Sequence, residues 1–169
     1  MNIPIQFGCA GWYKIEAVKK DGSGSRILAD WFPNLITDQG LDRMGNNSDY
    51  LSFCQVGSGD NTHAFTDTTL ETFVPATSST TSDSVGAQPS APYFISRTIT
   101  YRFAEGVAAG NLSEVGIAWT SGASSLFSRD LIVDSLGAPT TITVLSDEFL
   151  DVTYQLRIYP PTTDVTGLS

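Results

Sequence analysis

From Phe149 to Tyr159 the chain places Leu150, Val152, Tyr154, Leu156 and Ile158 at every second position, with Asp151, Thr153, Gln155 and Arg157 between them. A period of two puts one set on each face of an extended chain, so the segment reads as a strand with one face buried. Pro160-Pro161 ends it, because proline cannot continue a hydrogen-bonded ladder. Such a strand needs neighbours in a sheet and a second apolar layer over its buried face. The chain supplies both. Tyr13, Ile15 and Ala17 alternate with Lys14 and Glu16. Tyr93, Ile95, Ile99, Tyr101 and Phe103 alternate with Ser96, Thr98, Thr100 and Arg102. Val115, Ile117 and Trp119 repeat the pattern. Turn chemistry separates the runs at Asp21-Gly22-Ser23-Gly24, Gly57-Ser58-Gly59-Asp60-Asn61 and Asp134–Pro139. Short amphipathic strands at this spacing predict an all-β fold, an antiparallel β-sandwich or jelly-roll-like domain.

The order of the runs suggests local pairings. Trp12–Lys20 and Arg26–Phe32 flank a four-residue turn and predict a hairpin. Tyr93–Phe103 and Val115–Trp119 flank a Gly/Asn loop and predict a second. Arg97 interrupts the apolar face of that second pair; it either snorkels to solvent near the strand end or turns inward to pair with Glu114. One short helix is expected near residues 37–44, with Thr37 as N-cap, Leu41 and Met44 three apart, and Gly45 at its close. Leu70–Val74 reads as a strand stopped by Pro75. Thr77–Ser84 is a Ser/Thr run with nothing apolar to bury, either an exposed loop or an edge strand whose partner is another subunit. The expected organisation is an arm at 1–11, one β-sandwich domain at 12–159 and a polar tail at 160–169. Within the arm Ile3, Ile5 and Phe7 alternate and offer one apolar edge for assembly contacts.

Charge restricts the partners. The 169 residues hold 18 Asp plus Glu against 9 Lys plus Arg, a formal net charge of −9. Nucleic acid and anionic membranes both reward clustered Lys/Arg, and Lys19-Lys20 is the one doublet. No stretch is apolar enough for a membrane span, and the first residues lack the basic and apolar regions of a signal peptide, so synthesis in a cytosol, with retention there or release by lysis, is expected. Cys9 and Cys54 form no disulfide framework.

Residue types that carry chemistry are sparse. The one histidine, His63, lies in a polar loop, where exposure is the ordinary outcome; Asp60 and Asp67 flank it, and Asp42 and Asp49 lie upstream. None of them forms a zinc or EF-hand spacing. No nucleophile-elbow motif occurs. Asp147-Glu148 is a carboxylate pair in a strand-joining turn, expected to point apart into solvent rather than across a cleft. The expectation is therefore no catalytic residue, no metal and no cofactor. A glycan-binding module is the alternative class: Trp12, Trp31, Trp119, Tyr50 and Tyr159 are its candidate aromatics. Trp119 continues an apolar face and is expected in the core, whereas Tyr159 falls on the polar face of its strand and is the best-placed surface contact.

The segments Asn34–Asp42, Tyr50–Gly57, Tyr101–Gly106, Asn111–Gly116 and Thr141–Glu148 together resemble a family of small virion structural proteins of tailed bacteriophages and prophages. The resemblance runs from about Trp12 to Tyr159 and rests on turns and core strands. It implies a non-enzymatic particle component, made in the host cytoplasm and carried in the virion, most naturally a tail or baseplate adaptor or fibre-associated subunit. Its partners would be copies of itself and other phage structural proteins. A capsid decoration protein and a module binding a host surface glycan are the alternatives.

Overall fold

Alternating segments become the strands of one strongly curled antiparallel sheet. The computed structural model describes residues 7–122 and 124–161. In chain order the elements are β1 (Gly8–Lys19), β2 (Ser25–Ile36), α1 (Asp38–Asn46), β3 (Phe53–Gly57), β4 (Phe73–Thr77), β5 (Thr80–Gln88), β6 (Phe94–Phe103), β7 (Gly110–Leu112), β8 (Glu114–Ala118), β9 (Leu126–Leu131), β10 (Ile142–Val144) and β11 (Glu148–Tyr159). Nine strands form the main sheet in the order β4-β3-β8-β9-β2-β1-β11-β6-β5, and β7 pairs with β10 beside it. The all-β antiparallel class with one short helix is as the sequence predicts; the sheet curls into a half-barrel.

The curl has a local cause in β2. Its first part pairs with β1, and its last two residues, Leu35 and Ile36, pair with Arg129 and Ser128 of β9. Two irregularities interrupt the β1–β2 ladder. Lys14 faces both Asp30 and Trp31, and Leu28 is an extra residue between Ala29 and Ile27. A bulge bends its strand and increases its twist, which lets one strand serve both halves of the sheet. The two halves face each other over one core. Tyr13, Ile15, Ile99, Tyr101, Phe103, Val152 and Tyr154 come from one half, and Cys54, Val56, Val115, Ile117 and Phe127 from the other; all are at most 2% exposed. Two of the three buried core tyrosines find hydroxyl partners: Tyr13 Oη lies 2.8 Å from Ser128 Oγ, and Tyr101 Oη donates to the Leu51 carbonyl at 2.6 Å. The β11 face reads as expected, with Leu150, Val152, Tyr154 and Leu156 buried.

The helix closes one end. Thr37 Oγ1 accepts from Gly40 N at 3.0 Å and donates to the Leu126 carbonyl at 2.6 Å, so the cap also ties α1 to β9. Gly40 lies so close to the Phe127 backbone that a Cβ there would collide with it. The helix runs past Gly45 to Asn46 and closes at Asn47, whose N–H donates to the Arg43 carbonyl.

Several local expectations are corrected. Gly8–Gly11 belong to β1, paired with Tyr159 through Leu156, so the extended segment reaches into the expected arm. The pair 93–103 and 115–119 is not a hairpin: β6 lies between β11 and β5, and β8 between β3 and β9. Alternation is the same whichever strand lies alongside, so it carries no information on the partner. Tyr93 and Ile95 continue the apolar face past its cover and are 50% and 58% exposed. Arg97 pairs with Asp83 across β5 at 2.8 Å, in reach of solvent, and not with Glu114. Pro75 sits within β4 rather than ending a strand, as an edge position permits. The Ser/Thr run joins β4 to β5 and supplies most of β5, an edge strand whose observed partner is β6 of the same chain.

Candidate functional site

Two surfaces gather the residues that could meet a partner. The first is the β5 edge. Eight of its nine residues are exposed and Gln88 is half-buried. Asp83 is its one charge and is taken by Arg97. Register places Val85 beside Arg97 and Leu156, and Ala87 beside Ile95 and Ile158. These residues and Tyr50 line a groove of about 510 Å³ on the open end of the inner face. Val85 is 85% exposed. The start of β1 and the end of β11 lie along this same margin, since Gly8 pairs with Tyr159 and Ile158 with Ile95. Phe7, just before β1, is exposed. Ile3 and Ile5, expected as assembly contacts with it, lie outside the described residues, as do positions 162–169 of the tail.

Tyr159 is half-buried. Its ring packs against Phe94 with centroids 5.6 Å apart. Arg157 lies over Phe94 at 4.7 Å and over Trp12 at 5.1 Å, so the polar face of β11 carries an aromatic–guanidinium stack. Trp119, expected in the core, is half-buried under the Arg43 guanidinium at 5.3 Å. Both residues serve packing more than display.

The second surface is a cleft built from β2 and the 58–72 loop. That loop contains no regular element; a buried carboxylate holds it. Glu114, fully buried, accepts from Gly59 N at 3.1 Å and Thr72 N at 2.8 Å through Oε1, and from Glu71 N at 3.0 Å through Oε2. Arg129, 3% exposed, lies 3.0 Å from Glu114 Oε2, 2.6 Å from Asp67 Oδ2, and donates to the Asn61 carbonyl at 3.0 Å. Glu71 binds the other side of the loop through Asp60 N, Asn61 N and Asn61 Nδ2. Polar groups of a loop that would otherwise go unpaired are satisfied by charge-assisted bonds.

So held, the loop sets His63 against the sheet, half-buried rather than exposed. His63 Nδ1 lies 2.7 Å from Asp130 Oδ1, though without the alignment of a hydrogen bond. Burial pushes the Asp130 carboxyl above its ordinary range, and the neighbouring His63 and Arg129 oppose that rise. Across from them the β2 bulge turns Asp30 and Trp31 outward together between buried Ala29 and Phe32. The space between is a cleft of about 810 Å³, lined among others by Trp31, Asp30, His63, Asp130, Asp134 and Ser135. Trp31 is 45% exposed. No lysine or arginine lines it.

Other candidate groups are accounted for structurally. Asp147 and Glu148 do not point apart into solvent: both reach Lys19 Nζ, at 2.9 and 3.6 Å, and Glu148 is buried. Arg26 donates to it through Nε at 3.1 Å and Nη2 at 2.8 Å and holds its carboxyl at about 2. Asp147 is the exposed member, paired with Lys19. Asp49 pairs with Arg43 and Asp67 with Arg129. Cys9 and Cys54 are free, and burial raises both thiols. Among the described residues no three His, Cys, Asp or Glu side chains converge as metal ligands, and no helix is long and apolar enough to cross a membrane. Sequence reasoning named Trp31 only as one aromatic of five and missed Asp130 and Asp134. The signal for Trp31 was its adjacency to Phe32: two neighbouring large aromatics cannot both face the core of a regular strand. Comparison with protein families, curated proteins and solved structures finds no match for this chain.

Proposed function

We propose that this chain is a non-enzymatic structural subunit of a tailed-bacteriophage particle, a tail or baseplate adaptor or fibre-associated protein carried in the virion. It would join copies of itself and other particle proteins by strand addition at β5. The exposed β5 edge carries the proposal. An edge strand presents a row of unpaired N–H and C=O groups, and edges of monomers are usually blunted by lysine, proline, brevity or a covering element. Among the described residues β5 has none of these along Ser82–Gln88, its single charge is neutralised, and an apolar groove lies beside it. Backbone pairing would supply affinity, and Val85 and Ile95 would supply the apolar contact. The resemblance to small virion proteins fits the same role, as does a surface whose carboxylates are largely committed to structural pairs.

The test is incorporation. Val85→Lys with Ala87→Lys places two charges on the edge and leaves the core untouched. The variant is expected to melt like the parent yet to be lost from purified particles. Incorporation at the parent's copy number would refute assembly through β5. Labelling the parent protein and imaging intact particles separates a tail or baseplate position from capsid decoration.

A further inference from the structure

We infer that the cleft between the β2 bulge and the His63 loop binds a neutral oligosaccharide. This goes beyond the assembly role and uses a different face of the molecule. Trp31 comes first. In a strand that kept the phase of buried Ala29, Trp31 would turn inward and Phe32 outward; the bulge opposite Lys14 shifts the phase, so that Trp31 is exposed and Phe32 lies in the core. Bulges serve to re-aim side chains in this way. An indole held at the wall of a cleft offers a flat, electron-rich face to the C–H groups of a pyranose ring.

Hydrogen-bonding groups line the same cleft. Asp134 spends Oδ1 on the turn, accepting from Leu136 N at 2.8 Å and Ala138 N at 3.0 Å, and its Oδ2 makes no hydrogen bond among the described residues. Asp30 Oδ1 accepts from Trp31 N at 2.9 Å, again using one oxygen. His63 turns its Nδ1 edge to Asp130, which leaves Nε2 as the edge able to meet a ligand. Ser135 adds a hydroxyl. Oxygen acceptors sharing a cleft with one exposed indole suit a ring with an apolar face and a hydroxyl rim. The volume is that of a small-ligand site. With three carboxylates and no cation in its lining the cleft disfavours acidic sugars and phosphate-bearing polymers. All three carboxylates already give one oxygen to backbone N–H groups, which favours a neutral ligand over a cationic one.

The three tryptophans make the site directly observable, because each gives one indole N–H signal in a ¹⁵N–¹H correlation spectrum. Trp12 and Trp119 lie under arginines and serve as internal references. Chitotetraose, cellotetraose, maltotetraose and isomaltotetraose are titrated separately to about 10 mM, the range that detects millimolar binding. At least one is expected to shift the Trp31 signal saturably and leave the other two in place. Trp31→Ala should weaken that binding at least about tenfold, with the remaining spectrum reporting whether the fold is intact. Trp31→Phe, which keeps an aromatic face, should retain part of it. The inference is overturned if none of the four moves the Trp31 signal. It is equally overturned if Trp31→Ala binds like the parent, or if a lysine-rich decapeptide shifts Trp31 where the sugars do not.

Discussion

Glu114→Gln replaces a buried carboxylate with an amide of nearly the same volume, so its cost isolates charge and hydrogen bonding from packing. In the native protein Oε1 accepts two backbone N–H groups, and Oε2 accepts Glu71 N and the Arg129 guanidinium. A glutamine can place its oxygen toward Gly59 and Thr72. Its amide nitrogen then faces Glu71 N and Arg129, donor against donor. Two partners lose their acceptor. Each unsatisfied group costs about 1–3 kcal/mol, the charged one at the upper end. Removing one partner of a buried ion pair costs about 3–5 kcal/mol, which agrees. Asp67 and the Asn61 carbonyl still hold Arg129, so the lower half of that range is expected. Equilibrium denaturation followed by tryptophan fluorescence measures the loss, and limited proteolysis reads the 58–72 loop, which should be cleaved faster. Combining Glu114→Gln with Arg129→Met should cost less than the sum of the two, by about 1–3 kcal/mol. A loss below about 1 kcal/mol with unchanged proteolysis would refute the claim that this pair holds the loop.

Leu156→Ala on the buried face of β11 should cost about 2–5 kcal/mol in denaturant melts; a loss under about half a kilocalorie would show that this face is not core. Arg26 holds the Glu148 carboxyl at about 2, below its ordinary 4.5. A depressed carboxyl contributes stability that is complete above about 4.5 and is lost as pH falls through about 2, so Tm should drop across that window. Arg26→Met should lessen the Glu148 part of that drop, and an unchanged pH profile would remove Arg26 as the cause. Asp130, raised by burial, acts in the opposite sense and is common to both proteins.

Much of this fold was legible in period two. The buried face of β11, the β1–β2 hairpin and the Thr37 cap each depend on residues close in sequence, and their chemistry is local. Strand partnership is not local. The runs at 93–103 and 115–119 look like neighbours because a loop joins them, yet they lie in different halves of the sheet. Burial was likewise decided by tertiary cover: Ile95 and Ile99 share a face, and the opposing half reaches only Ile99. The 62–69 stretch carries no periodic pattern from which its order could be read. Its order comes from Glu114 and Arg129, residues of two other strands. Trp31 and His63 were visible as residue types. The bulge that exposes one and the buried ion pair that positions the other exist only after the sheet has curled, because each needs partners distant in the chain.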